Sequence, residues 1–119
     1  MIIRRLSECE EFIAGDGSIL RELLHPDKHG VALRYSLAHA IVRPGQTTLP
    51  HRLKTSEVYY IISGEGVMHI NDESSPVAPG DAVYIPPRAS QSIHNHGDSD
   101  LVFICLADPA WRKEDEDVL

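Results

Sequence analysis

The side chains with the most chemistry in this 119-residue sequence are its seven histidines, its eighteen acidic groups and its two cysteines. No two of His25, His29, His39, His51, His69, His94 and His96 have the His-Glu-x-x-His spacing of a helical zinc site. Cys9 and Cys105 offer no thiol pair for a structural zinc and no disulfide framework. Cys105 lies in the apolar run Leu101 to Leu106 and reads as an inert core thiol. There is no glycine-rich loop ending in Lys-Ser or Lys-Thr to cradle a phosphate, and no Gly-x-Ser-x-Gly elbow for a nucleophile. What remains is a spacing. Gly45, His51, Glu57 and Gly64 punctuate GQTTLPHRLKTSEVYYIISG, and Gly80, Pro86, Gln91 and Asn95 punctuate GDAVYIPPRASQSIHN.

An imidazole and a carboxylate placed in this way can exchange protons near neutral pH or share a cation. They must first be positioned, and the elements that position them read as strands. Glu57 to Ile62 is rich in β-branched and aromatic residues, and Gly64-Glu65-Gly66 turns it into Val67 to Ile70. Asn71 to Ser75 reads as a second turn and Pro79-Gly80-Asp81 as a third. The expected strands lie near 33–43, 57–63, 67–71, 82–85, 90–96 and 101–107. Short strands with turn signals between them indicate an all-β sandwich or barrel. Ser18 to Leu24 fits a strand or a short helix on pattern alone, and the Asp-Gly before it favours the strand. Ser7 and Glu10 match a capping box and predict a helical turn over Ser7 to Phe12. The charged run Arg112 to Asp117 reads as a frayed end or a solvated turn. No linker or repeat divides the chain, so one domain over 1–119 is expected.

The two strings resemble the two sequence motifs of the cupin superfamily, G-x5-H-x-H-x3-E-x6-G (here 45–64) and G-x5-P-x-G-x2-H-x3-N (here 80–95). The resemblance implies a double-stranded β-helix, a jelly-roll barrel. It also implies one divalent metal held between the motifs by three histidines and a glutamate. In this sequence His51 matches the first histidine and Glu57 the glutamate. Leu53 stands at the second histidine, Gln91 at the third, and Arg88 at the glycine of motif two. The metal set is then His51, Glu57 and Gln91 around a weakly held Mn, Fe or Zn ion. The catalytic groups are Glu57 or His51 as base. Tyr59 and Arg88 are the candidate substrate contacts, with Arg88 at the barrel mouth either clamping an anion or standing in solvent.

On a strand alternate residues share a face, so His51 points with Leu53, and Glu57 with Tyr59 and Ile61. An inward carboxylate needs a cation or hydrogen bonds, and His51, the Tyr59 hydroxyl or Gln91 could supply the latter without any metal. Two readings follow: a metal-dependent isomerase, lyase or dioxygenase acting on a small sugar-like or carboxylated molecule, and a non-catalytic module that binds a small ligand after loss of the metal site. His39 is a replacement ligand if its parity faces the cavity and a surface residue otherwise. His94 and His96 are expected in solvent, and His25, His29 and His69 in loops or on outer faces. Trp111 is expected to pack over a barrel edge or a partner subunit, with a lid over the pocket as the sharper reading.

Eighteen acidic against eleven basic side chains give a net charge of −7, which disfavours nucleic acid and anionic membrane surfaces as partners. The cysteine usage and the absence of a signal-like or spanning apolar run read as a reducing, cytoplasmic setting. If Glu57 faces inward, Val58, Tyr60 and Ile62 form an apolar outer face, which predicts a homodimer.

Overall fold

A computed structural model describes residues 1–119. Eleven strands run in the order β1 (Glu11–Ile13), β2 (Ile19–Leu24), β3 (Ser36–Val42), β4 (His51–Leu53), β5 (Ser56–Ser63), β6 (Gly66–Ile70), β7 (Glu73–Val77), β8 (Ala82–Ile85), β9 (Gln91–Asn95), β10 (Leu101–Asp108) and β11 (Glu116–Val118). One four-residue helix, α1 (Pro26–His29), interrupts them after β2. No helix is long and apolar enough to cross a membrane.

The strands form two antiparallel sheets, ordered β1-β2-β3-β10-β5-β8 and β11-β4-β9-β6-β7. The alternation read from the sequence is what closes them on each other. Tyr59 and Ile61 of β5, Leu101 and Phe103 of β10, and Ala40 and Val42 of β3 meet Met68, Val77 and Ile93 of the opposite sheet in one buried cluster. The barrel is therefore filled at this end by apolar side chains, with the Tyr59 and Phe103 rings 4.5 Å apart between centroids.

The glycines and the asparagine of the motifs are structural. Gly64 turns at φ +86°, and a Cβ there would come within 2.5 Å of the Asp100 carbonyl oxygen. Only glycine accepts both that backbone and that approach. Asn95 is wholly buried with its amide fully used: Nδ2 donates to the Val42 and Ser99 carbonyls, and Oδ1 accepts from the Gly97 N–H. It ties the loop before β10 to the end of β3. Arg88 occupies the position of the motif-two glycine and has a left-handed backbone, φ +67°, with its N–H donating to the Leu53 carbonyl at 2.7 Å.

Three expectations about elements are corrected. The turn near Ser7 is a 3₁₀ turn over Leu6–Glu8 without a side-chain cap, and β1 takes Glu11–Ile13 because the Gly15-Asp16-Gly17 turn folds it back onto β2. Most of the turn expected at Asn71 to Ser75 is the start of β7, an exposed polar edge strand. Edge strands lack the alternation that marks a strand in sequence, since only Val77 of this one is buried. The charged tail is a 3₁₀ turn followed by β11, which pairs along β4. Backbone pairing, which no side-chain pattern encodes, holds it there.

Candidate functional site

Motif one spans both sheets. A two-residue bend at Lys54-Thr55 carries the chain from β4 in one sheet to β5 in the other. His51 and Leu53 thus line one wall of a cavity, and Glu57 and Tyr59 the opposite one. Gln91, from β9, reaches across from the sheet of His51 to Glu57 and Tyr59. It is the direct cross-strand neighbour of His51 in the same sheet. The cavity is narrow, about 40 Å³. Phe103, Cys105 and Ala107 of β10 form its floor, and Asp16, Glu22, Trp111 and Glu116 come to it from the two ends of the chain.

A chain of hydrogen bonds sets the state of Glu57. The Tyr59 hydroxyl donates to Gln91 Oε1 at 2.8 Å, and Gln91 Nε2 donates to Glu57 Oε1 at 2.9 Å. Glu57 is 7% exposed. Burial pushes its carboxyl up to about 8, against the pull of the Gln91 hydrogen bond, and Asp16 and Glu116 push it further. At neutral pH it is therefore mostly protonated. Because Oε1 accepts from Gln91, the proton resides on Oε2. The same burial, with Glu57 beside it, raises the Tyr59 phenol well above its ordinary range. Cys105 lines the cavity, and burial together with Glu57, Asp16 and Glu22 keeps it a thiol.

His51 is buried and oriented. Its Nδ1 faces the Leu49 carbonyl at 2.8 Å, so Nδ1 carries a proton, and in the neutral ring Nε2 presents its lone pair. That nitrogen stands 3.7 Å from Asp16 Oδ2. Asp16 is held by its own turn, where Oδ1 accepts from the Ser18 N–H at 2.9 Å and hydroxyl at 2.6 Å. Glu116 Oε2 accepts from the Trp111 indole N–H at 2.8 Å.

The structure brings together His51, Glu57 and Tyr59 among the residues singled out in the sequence. It also joins Gln91 to Glu57 and Tyr59 through hydrogen bonds, and it leaves Arg88 outside the cavity. Gln91 is buried, with its oxygen engaged by Tyr59 and its nitrogen by Glu57, and acts by positioning Glu57. Arg88 is exposed on the outside, beside Arg52, Lys54, Asp115 and Asp117. His39 lies on the outer parity of β3, opposite Ile104, because Ala38 and Ala40 take the inner one. His25 lies in the loop between β2 and α1. It is buried, its Nδ1 accepts from the Asp27 N–H, and its Nε2 donates to the Trp111 carbonyl at 2.6 Å. That bond, with the Trp111 N–H donating to Ser36 Oγ, turns Trp111 into a cavity wall. Sequence reasoning missed Asp16, Glu22 and Glu116 as cavity groups. The one signal available was Glu22, a charged residue two positions after the inward Leu20 of β2.

The metal implied by the motif resemblance does not fit these residues. Leu53 places an apolar side chain where an imidazole is needed, the Gln91 oxygen accepts a hydrogen bond from the Tyr59 hydroxyl, and no three His, Cys, Asp or Glu side chains gather in a metal-holding arrangement.

Comparison with known proteins places this geometry among relatives. The family described as "Cupin domain" matches residues 38–107. The chain is 43% identical over 113 residues to the uncharacterized protein MJ1618 of Methanocaldococcus jannaschii, covering 94% of this chain and 90% of that protein. It is 38% identical over 64 residues to an oxalate-binding protein of Thermotoga maritima, covering 53% of each. The solved structure of the Streptomyces nucleoside dehydratase Pac13 superposes with a TM-score of 0.80 at 21% identity, covering all of this chain and 91% of that one, a likeness of fold.

Proposed function

The chain belongs to the cupin family, and from that premise we propose that its barrel cavity binds a small polar molecule and moves a proton on it, with Glu57 as donor and His51 as acceptor. The observation that carries this reading is the Glu57 carboxyl, buried, lining the cavity and poised at about 8. Strongly perturbed carboxyls in clefts cluster at functional sites. Glu57 delivers the proton on Oε2, while His51 Nε2 takes one from the bound molecule, so the pair suits isomerisation or elimination. Gln91 and Tyr59 hold Glu57 in place, and no step passes through a metal.

A second reading, a non-catalytic ligand-binding module, is favoured by the loss of two of the four donors that the family motifs carry. Solvent deuterium exchange separates the two. Sugars, amino sugars and hydroxy acids that raise the melting temperature are incubated with the protein in D₂O and followed by NMR. Exchange of a carbon-bound proton is expected with the wild type and is expected to vanish in Glu57→Gln and His51→Asn that still bind the molecule. If the molecules that bind exchange nothing with the wild type, the binding module is the correct reading.

We also infer a homodimer. On the outer face of the six-stranded sheet Tyr60 is 50%, Ile62 46% and Tyr84 63% exposed, and β5 and β8 are paired, so these side chains form one apolar patch. A second copy covers such a patch by two-fold symmetry. Light scattering should give twice the chain mass at micromolar concentration, and Tyr60→Asp with Tyr84→Asp should halve it. A particle of single-chain mass in the wild type rejects the dimer.

A further inference from the structure

Glu22 is the cavity group that the acid–base reading leaves without a task. It stands on β2 opposite Ala38 of β3, is 7% exposed, and lines the same cavity as Glu57 and His51. Its Oε1 lies 3.3 Å from Lys28 Nζ, on a side chain that is about half exposed. Its Oε2 is enclosed and has no hydrogen-bond partner. A buried carboxylate oxygen without a donor is costly, and few native sites tolerate one without a ligand or a bound water.

The rest of the cavity deepens the asymmetry. Asp16, Glu57 and Glu116 accept hydrogen bonds from Ser18, Gln91 and Trp111, all of them neutral donors. No lysine or arginine lines the space. Four carboxyl groups therefore share it with a single imidazole. A carboxylated or phosphorylated molecule would meet repulsion there and find no counter-ion. A positively charged donor would find the one partner that the cavity lacks. A metal ion is a poorer match than an organic cation, because the carboxylates are spread around the walls rather than gathered on one point.

We propose that the ligand of this cavity is a small organic cation, a primary amine on a polar carbon skeleton, whose ammonium group donates to Glu22 Oε2. The proposal rests on the reading of the cavity as the site of acid–base chemistry and names the substrate class for it. The ammonium supplies three N–H donors and a full positive charge, and the Tyr59, Phe103 and Trp111 walls face the carbon skeleton. This replaces the expectation of a carboxylated substrate clamped by Arg88, whose side chain lies outside the cavity.

Calorimetry on the full chain tests this with ethanolamine, 1,4-diaminobutane and glucosamine against ethylene glycol, glucose, glycolate, oxalate and Mn²⁺. At least one amine should bind, and its neutral and anionic counterparts should bind at least about tenfold more weakly. Glu22→Gln, checked for folding by its melting curve, should weaken the amine by about tenfold or more. Lys28→Ala leaves the cavity intact and removes the exposed competitor for Glu22, so it should tighten the amine severalfold. The proposal is overturned if no amine binds, if glucose or oxalate binds as tightly as its amine counterpart, if Mn²⁺ displaces the amine, or if Glu22→Gln leaves the amine affinity unchanged. An amine that binds through Glu22 but exchanges no proton removes the acid–base reading and leaves this one standing. A neutral sugar that exchanges through Glu57 does the reverse.

Discussion

Glu57→Gln should abolish most of the alkaline loss of stability of this protein. The sign follows from the direction of the shift. The folded carboxyl titrates at about 8 against an ordinary value of 4.5, so between those values the folded state holds a proton that the unfolded state has released. Stability then falls as pH rises through that window and levels off above about 8. At 1.36 kcal/mol per unit, the full span is worth roughly 5 kcal/mol, a large part of the total for a domain of this size. The glutamine keeps the shape, and its carbonyl accepts the Gln91 amide as Oε1 does, so the variant should match the wild type near pH 5 and exceed it at pH 9. Urea unfolding of both proteins at pH 5, 7 and 9 measures the gap. A gap that stays constant across the three would show that Glu57 ionises as an ordinary surface carboxyl does. The comparison is made between the two proteins at each pH, so that the other acidic groups cancel.

Phe103→Ala should be the most destabilising single truncation near the site. The ring is 1% exposed, sits in the cluster shared by both sheets and lies 4.5 Å from the Tyr59 ring. Deleting a buried phenyl group typically costs about 3–5 kcal/mol, through lost transfer energy and the void left behind. Phe103→Leu, which refills part of the space, should lose less than half as much. The effect should also reach the chemistry. Phe103 backs Tyr59, Tyr59 holds Gln91, and Gln91 holds Glu57, so water entering beside Tyr59 should move the Glu57 titration back toward the acid range. Thermal and urea unfolding give the first effect, and repeating the pH series on the alanine variant gives the second. A loss below about 1 kcal/mol would mean that the barrel repacks around the void, against the close packing of its two sheets.

Most of the barrel was legible in the sequence, and for physical reasons. The period of two in Glu57–Tyr59–Ile61 and in Gln91–Ile93–Asn95 survives because one face of each strand meets a core and the other does not. The turns at Gly64 and Gly80 were legible because positive φ at those points demands glycine. The strands that went unread, β1, β7 and β11, are three to five residues long, and all lie at sheet edges. Such strands are held by backbone pairing with a neighbour, and backbone groups are the same in every sequence. For the same reason a run of charges after Trp111 could not announce a strand.

The amino-acid sequence by itself determined which chemical groups the site could contain. It placed His51, Glu57 and Tyr59 on strand faces that turn inward together, and it put Leu53 and Gln91 where the family motifs carry imidazoles. The tertiary structure alone decided what those groups are. Glu57 is a proton donor because the sheets close over it and withdraw water, which no local pattern expresses. Gln91 is a spacer between Tyr59 and Glu57 because the closed barrel brings its amide, from the opposite sheet, between the two side chains. Asp16 and Glu22 come from near one end of the chain and Glu116 from the other, and they meet His51 only because β2 and β11 flank the barrel mouth. The charge of a cavity is a sum over residues far apart in sequence, so its preference for a cation exists only once the chain has folded.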